Sequence, residues 1–128
     1  LVLSSYSSDK EDNFLRLDEI SSLDINADFV NLSACDTGLG KQYFAEGLVG
    51  LSYGFIIAGA KSLSVSLWKV DDYSTSIFME ELYKKSITNN VPFYQSMNEV
   101  KRQFINGDFG DNYKAPYYWA PFIFYGKK

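Results

Sequence analysis

One stretch of this chain, "NLSACDTGLG" (31–40), holds its only cysteine. Cys35 follows a short apolar run where a strand should end, and Gly38 and Gly40 let the backbone turn sharply behind it. Parallel sheets bind ligands beyond the carboxyl ends of their strands, so this position suits a nucleophile. A cysteine attacks as the thiolate, which needs a base or a local positive potential. The backbone N–H of Cys35 is a natural donor to an oxyanion developing on a substrate. Yet the chain contains no histidine, the commonest base for this work. Most free cysteines are buried structural thiols, and the local pattern leaves both readings open.

Spacing removes two other chemistries. A phosphate-binding P-loop requires a glycine five residues before its Gly-Lys pair, and here that position is Cys35, with Gln42 after Lys41. A cysteine phosphatase loop calls for Arg six residues beyond the cysteine, where this chain has Lys41. One cysteine without histidine makes neither an internal disulfide nor a zinc site, so no metal and no cofactor is expected. Asp36 reads as a turn residue bonding its own backbone. In "SLWKVDD" (66–72), Asp71 and Asp72 are good helix caps, and Trp68 suits a core position.

The elements that must carry these residues follow from patterning. "LVL" at the start reads as a strand, then a polar loop, then one or two helical turns over 17–23 with Asp18 as N-cap. "DFVNLSA" (28–34) has the look of a buried parallel strand whose Asn31 needs a hydrogen-bond partner. A helix is expected over 43–59, its Gly47, Gly50 and Gly54 on one face for close approach to a sheet. Leu63, Val65 and Leu67 alternate with serines in a strand over 61–68. Helices follow over 70–90, with Glu80–Lys84 and Glu81–Lys85 pairs, and over 92–107, with Phe93, Met97, Val100 and Phe104 as its core stripe. "YYWAPFIFYG" (117–126) is expected to be a final strand, at an edge or bulged because of Pro121. Strands alternating with helices give an α/β domain, a mostly parallel sheet with covering helices.

The net charge of −4 argues against a nucleic-acid surface, which needs clustered Lys and Arg. The apolar run "FIIAGA" (55–60) is far too short to span a bilayer, so no membrane partner is expected. A single cysteine makes a reducing, cytoplasmic setting the default.

Three segments in order, "NLSACDTGLG", "EGLVGLSYGFIIAGAKSLSVSLWKVDD" and "PYYWAPFIFYG", together resemble the CHAT domain family. These are caspase-like cysteine peptidase domains, often found beside tetratricopeptide repeats. The resemblance implies a caspase–hemoglobinase fold, a polypeptide substrate or protein partner, and Cys35 as catalytic nucleophile with its N–H in the oxyanion hole. It also implies that the strand end at "SLWKVDD" lines the specificity pocket, making Trp68, Asp71 and Asp72 candidates there. A carboxylate at the floor of that pocket would favour Arg or Lys before the scissile bond. The family's base is a histidine in a His-Gly pair, which in caspases lies about 50 residues before the cysteine. This sequence has no such residue. With its start at Leu1 inside a strand-like run, the chain is expected to be the C-terminal part of a longer CHAT domain, inactive alone. The truncated sheet would leave apolar edges near 1–4 and 28–34 through which copies self-associate. The alternative is a catalytically silent interaction module on the same fold.

Overall fold

A computed structural model describes residues 16–32 and 41–126, with the backbone alone for residues 41–46. Its elements are α1 (Leu17–Ser21), β1 (Val30–Leu32), α2 (Lys41–Ile57), β2 (Ser62–Ser66), α3 (Asp72–Tyr83), α4 (Phe93–Asn106), α5 (Pro116–Trp119) and β3 (Phe122–Gly126). A π-helical turn, Lys84–Thr88, continues α3, and a 3₁₀ turn, Asp111–Tyr113, precedes α5. The fold is α/β, as expected. The expected strand edge at residues 1–4 lies outside the described residues, as do the expected opening strand and polar loop.

The sheet has the order β1-β2-β3 and is mixed. β1 runs parallel to β2, with Val30 opposite Leu63 and Leu32 opposite Val65. β3 runs antiparallel to β2, with Phe122 opposite Ser66 and Tyr125 opposite Leu63. The connection explains this reversal. Phe78 meets Phe104 while Lys85 meets Glu99, so α3 and α4 are antiparallel and return the chain to the end where β2 finished. A strand starting there must run back along β2. The described sheet is therefore not mostly parallel: it has one parallel and one antiparallel pair.

Helices cover both faces, and the side of each strand residue follows from the pleat. Leu63, Val65 and Ile123 face Ile20, Leu48 and Phe55 of α1 and α2. On the opposite face Phe122 and Phe124 pack with Phe78, Leu82, Met97, Val100 and Phe104 of α3 and α4. All five residues of β2 are buried, the serines included. The Ser64 hydroxyl donates to the Asn31 side chain, and Ser62 donates to the Asp28 carbonyl at 2.6 Å. Asn31 thus finds its partner on the neighbouring strand.

Several local expectations change. Arg16, not Asp18, is the N-cap of α1, and its N–H donates to Glu19 Oε2 at 2.7 Å. Asp18 sits in the first turn, where the helix dipole favours an acid. The glycine face of α2 admits α1, not the sheet: a Cβ on Gly54 would lie 2.7 Å from Leu17 Cδ1 and 3.3 Å from Ile20 Cγ2. The expected Glu80–Lys84 and Glu81–Lys85 pairs are not formed among the described residues. Lys84 instead meets Glu81 at 3.3 Å, and Lys85 reaches Glu99 of α4 at 3.5 Å. The stripe of α4 is as expected, with Met97, Val100 and Phe104 buried and Gly107 closing the helix at φ +88°. The final segment divides, because Pro116 starts the short helix α5 and only Phe122–Gly126 is strand. Within the described sheet β3 is an edge strand, as Pro121 suggested.

Candidate active site

Because β1 and β2 are parallel and in register, their carboxyl ends open on the same edge of the sheet. In sequence, Cys35 comes three residues after Leu32, and Trp68 three residues after Val65, the partner of Leu32. Cys35, its backbone N–H and Asp36 lie outside the described residues. What is described is the neighbouring wall of this edge, made by the segment after β2.

That wall is held by a crossed pair of hydrogen bonds. Trp68 Nε1–H donates to the carbonyl of Tyr117 at 3.0 Å, and Tyr117 Oη–H donates to the carbonyl of Lys69 at 2.9 Å. The Ser66 hydroxyl donates to the Trp68 carbonyl at 2.7 Å, tightening the turn out of β2. Trp68 is therefore not a core residue. It stands at the surface, 38% exposed, with its indole edge fixed.

Asp71 is the N-cap of α3. Its Oδ1 accepts from the N–H groups of Tyr73 at 3.0 Å and Ser74 at 3.1 Å, and its Oδ2 accepts from the Ser74 hydroxyl. These bonds, the hydroxyl first, hold its carboxyl below the usual range, while desolvation opposes them. The same bonds fix its direction and occupy both oxygens. Asp72 lies in the first helical turn, exposed, and among the described residues it has no hydrogen-bond or ion-pair partner. The two aspartates therefore differ: the first is committed to the helix, and the second is available to a ligand.

Patterning did not single out the residues that complete this wall. Tyr73 stacks at a tilt on Tyr113, with centroids 5.8 Å apart, and Tyr118 meets both Tyr113 and Tyr117 edge-on at 5.1 and 5.3 Å. Partial desolvation pushes the Tyr113 phenol up, and the Asp71 charge adds to it. The only signal for this cluster was the tyrosine density of residues 113–118, which reads equally well as strand or core. No cluster of His, Cys, Asp and Glu among the described residues fits a metal ion.

The sequence matches the CHAT domain family over residues 1–127. The chain belongs to that family. No curated protein and no solved structure gives a significant match. As a CHAT domain it is a member of a caspase-like, peptidase-related family. No helix among the described residues of this CHAT domain is long and apolar enough to cross a membrane.

Proposed function

We propose that this chain is the nucleophile-bearing C-terminal portion of a CHAT-type cysteine endopeptidase, with Cys35 as nucleophile and the general-base histidine outside this sequence. The observation that carries the reading is the parallel register of β1 with β2: both strands end at one edge of the sheet, where the Trp68–Asp72 wall stands, and Cys35 follows Leu32 by three residues in sequence. Membership of the CHAT family supports the same assignment. The base takes the Cys35 proton, and the thiolate adds to the scissile carbonyl. The backbone N–H of Cys35 donates to the resulting oxyanion. Collapse breaks the C–N bond, the base returns the proton to the leaving amine, and water hydrolyses the acyl-thioester. No metal or nucleotide takes part in these steps. Trp68 and Asp72 are proposed to line the pocket for the residue before the scissile bond. Asp71 supports that pocket by fixing the start of α3.

A polypeptide is the substrate, in a cytoplasmic setting, with tetratricopeptide or other domains adjacent in the parent protein. The absence of histidine from the chain favours one rival, a silent module that binds proteins without cutting them. The test is cleavage of the natural partner protein by the full-length parent. Cys35→Ala should abolish cleavage while leaving the fold intact, and the 128-residue chain alone should hydrolyse nothing. Cleavage that persists in the full-length variant overturns the assignment. So does Cys35-dependent hydrolysis by the chain alone, since it would show that no outside base is needed.

A further inference from the structure

Asn106 is the one asparagine of this chain that is followed by glycine, and the pair closes α4. The main-chain nitrogen after an asparagine can attack the side-chain amide carbon, and glycine, lacking a Cβ, hinders that attack least. The C–N bond of the side-chain amide then breaks, ammonia leaves, and residues 106 and 107 share a five-membered imide. Water opens the imide on one side or the other, giving aspartate or isoaspartate. Water enters and ammonia departs, and no electrons are transferred.

One feature of the fold permits this reaction and several restrain it. Asn106 is exposed, so water and base reach its amide. As the last residue of α4 it holds helical backbone angles, which set the next nitrogen off the line of attack on the side-chain carbon. That nitrogen is also engaged, because the Gly107 N–H donates to the carbonyls of Gln103 and Phe104, both at 3.1 Å. The Asp108 N–H donates to the same Gln103 carbonyl at 3.0 Å. Gly107 is held at φ +88° with Lys114 over it, the lysine Cε standing too close to admit a Cβ there. Asp111 fixes Lys114 in place at 2.6 Å. Phe109, packed on the buried Phe104 with centroids 4.7 Å apart, anchors the far side of the turn. Helix ends nevertheless open far more readily than helix middles.

We propose that Asn106 is a site of spontaneous deamidation gated by the closing turn of α4, modified in the folded chain only while that turn is open and Lys114 is lifted off Gly107. The change runs one way. Isoaspartate adds a carbon to the main chain between residues 106 and 107, so the Gly107 N–H no longer lines up with the Gln103 and Phe104 carbonyls. Aspartate keeps the main chain but sets a negative charge at the carboxyl end of a helix, where the dipole disfavours it. Cys35 and the peptidase reading play no part in this inference.

The test is long incubation of the full chain at mildly alkaline pH, folded and in denaturant, with peptide mapping by mass spectrometry and isoaspartate counted by enzymatic methylation. Asn112, exposed but followed by Tyr113, is the internal comparison. The folded chain should convert Asn106 before Asn112, and denaturant should speed the conversion about tenfold or more. Lys114→Ala should quicken it about two- to fivefold while circular dichroism shows the variant folded. Lys114→Arg should keep the natural rate, and Asn106→Gln should remove the signal. Equal rates in the folded and denatured chain, no conversion at all in the folded chain, a folded rate unchanged in Lys114→Ala, or earlier conversion at Asn112 would overturn the proposal.

Discussion

Replacing Asp71 by Ala should destabilise the domain far more than the same change at Asp72. The N-cap loses two N–H acceptors, which costs about 1 kcal/mol. The Ser74 hydroxyl is fully buried and loses its carboxylate partner, keeping only a 3.3 Å contact with the Asp71 carbonyl. A buried hydroxyl left poorly paired adds roughly 1 kcal/mol more. For a domain of this size about 2 kcal/mol lowers Tm by roughly 6–10 °C. Asp72→Ala removes an exposed side chain without a described partner and should stay within about 0.5 kcal/mol. The pH dependence tests the charge separately. The folded-state pKa of Asp71 is lowered, so its contribution is complete above the unfolded value, about 3.9, and is lost as pH falls through the lower folded value. Because the group is exposed, the charge-linked part of the difference is small and should shrink further in high salt. Thermal unfolding followed by circular dichroism at pH 7 and pH 2 measures both. The gap between the natural chain and Asp71→Ala should be wide at pH 7 and narrower at pH 2. A melt within 1 °C of the natural chain at pH 7 refutes the capping account, and a gap unchanged at pH 2 refutes only the charge-linked part of it.

Gly50→Ala meets only Leu17 Cδ2 at 3.8 Å and should raise stability by about 1 kcal/mol through helix propensity. Gly54→Ala gains the same propensity but presses on the buried Ile20, so it should be neutral or destabilising in denaturant unfolding. Ser64→Ala leaves the Asn31 side chain without its donor inside the sheet and should cost about 1–2 kcal/mol by the same assay. The chain in isolation should self-associate with rising concentration in light scattering, and Ile57→Lys, at an exposed position of α2, should reduce it. A strict monomer at high concentration would count against that expectation.

Local chemistry made the helices and their ends legible. The 3.6-residue spacing of Met97, Val100 and Phe104 announced both α4 and its buried face. Asp71 was a sound cap candidate because capping needs only its own neighbours in sequence. What the sequence hid was decided at a distance. The serines of β2 look like a solvent face, and their burial depends on Asn31 and Asp28, more than thirty residues earlier. The direction of β3 depends on how many helices return the chain, and the ion pair of Lys85 depends on where α4 sets Glu99. The wall after β2 was half legible. "SLWKVDD" pointed to Trp68 and the aspartates, but nothing in that stretch named Tyr117, which lies 49 residues from Trp68.

The crossed tie between Trp68 and Tyr117 has a lopsided chemistry. Both donors are side chains, whereas both acceptors are main-chain carbonyls, of Lys69 and Tyr117. Any amino acid at position 69 offers the same carbonyl, so that side chain can drift in size or charge without loosening the clasp. Positions 68 and 117 have no such freedom, since each must bring an N–H or O–H of the right reach. The charge bordering the aromatic surface can therefore be retuned through residue 69 while the rings keep their places, a division between what is variable and what is fixed at neighbouring positions.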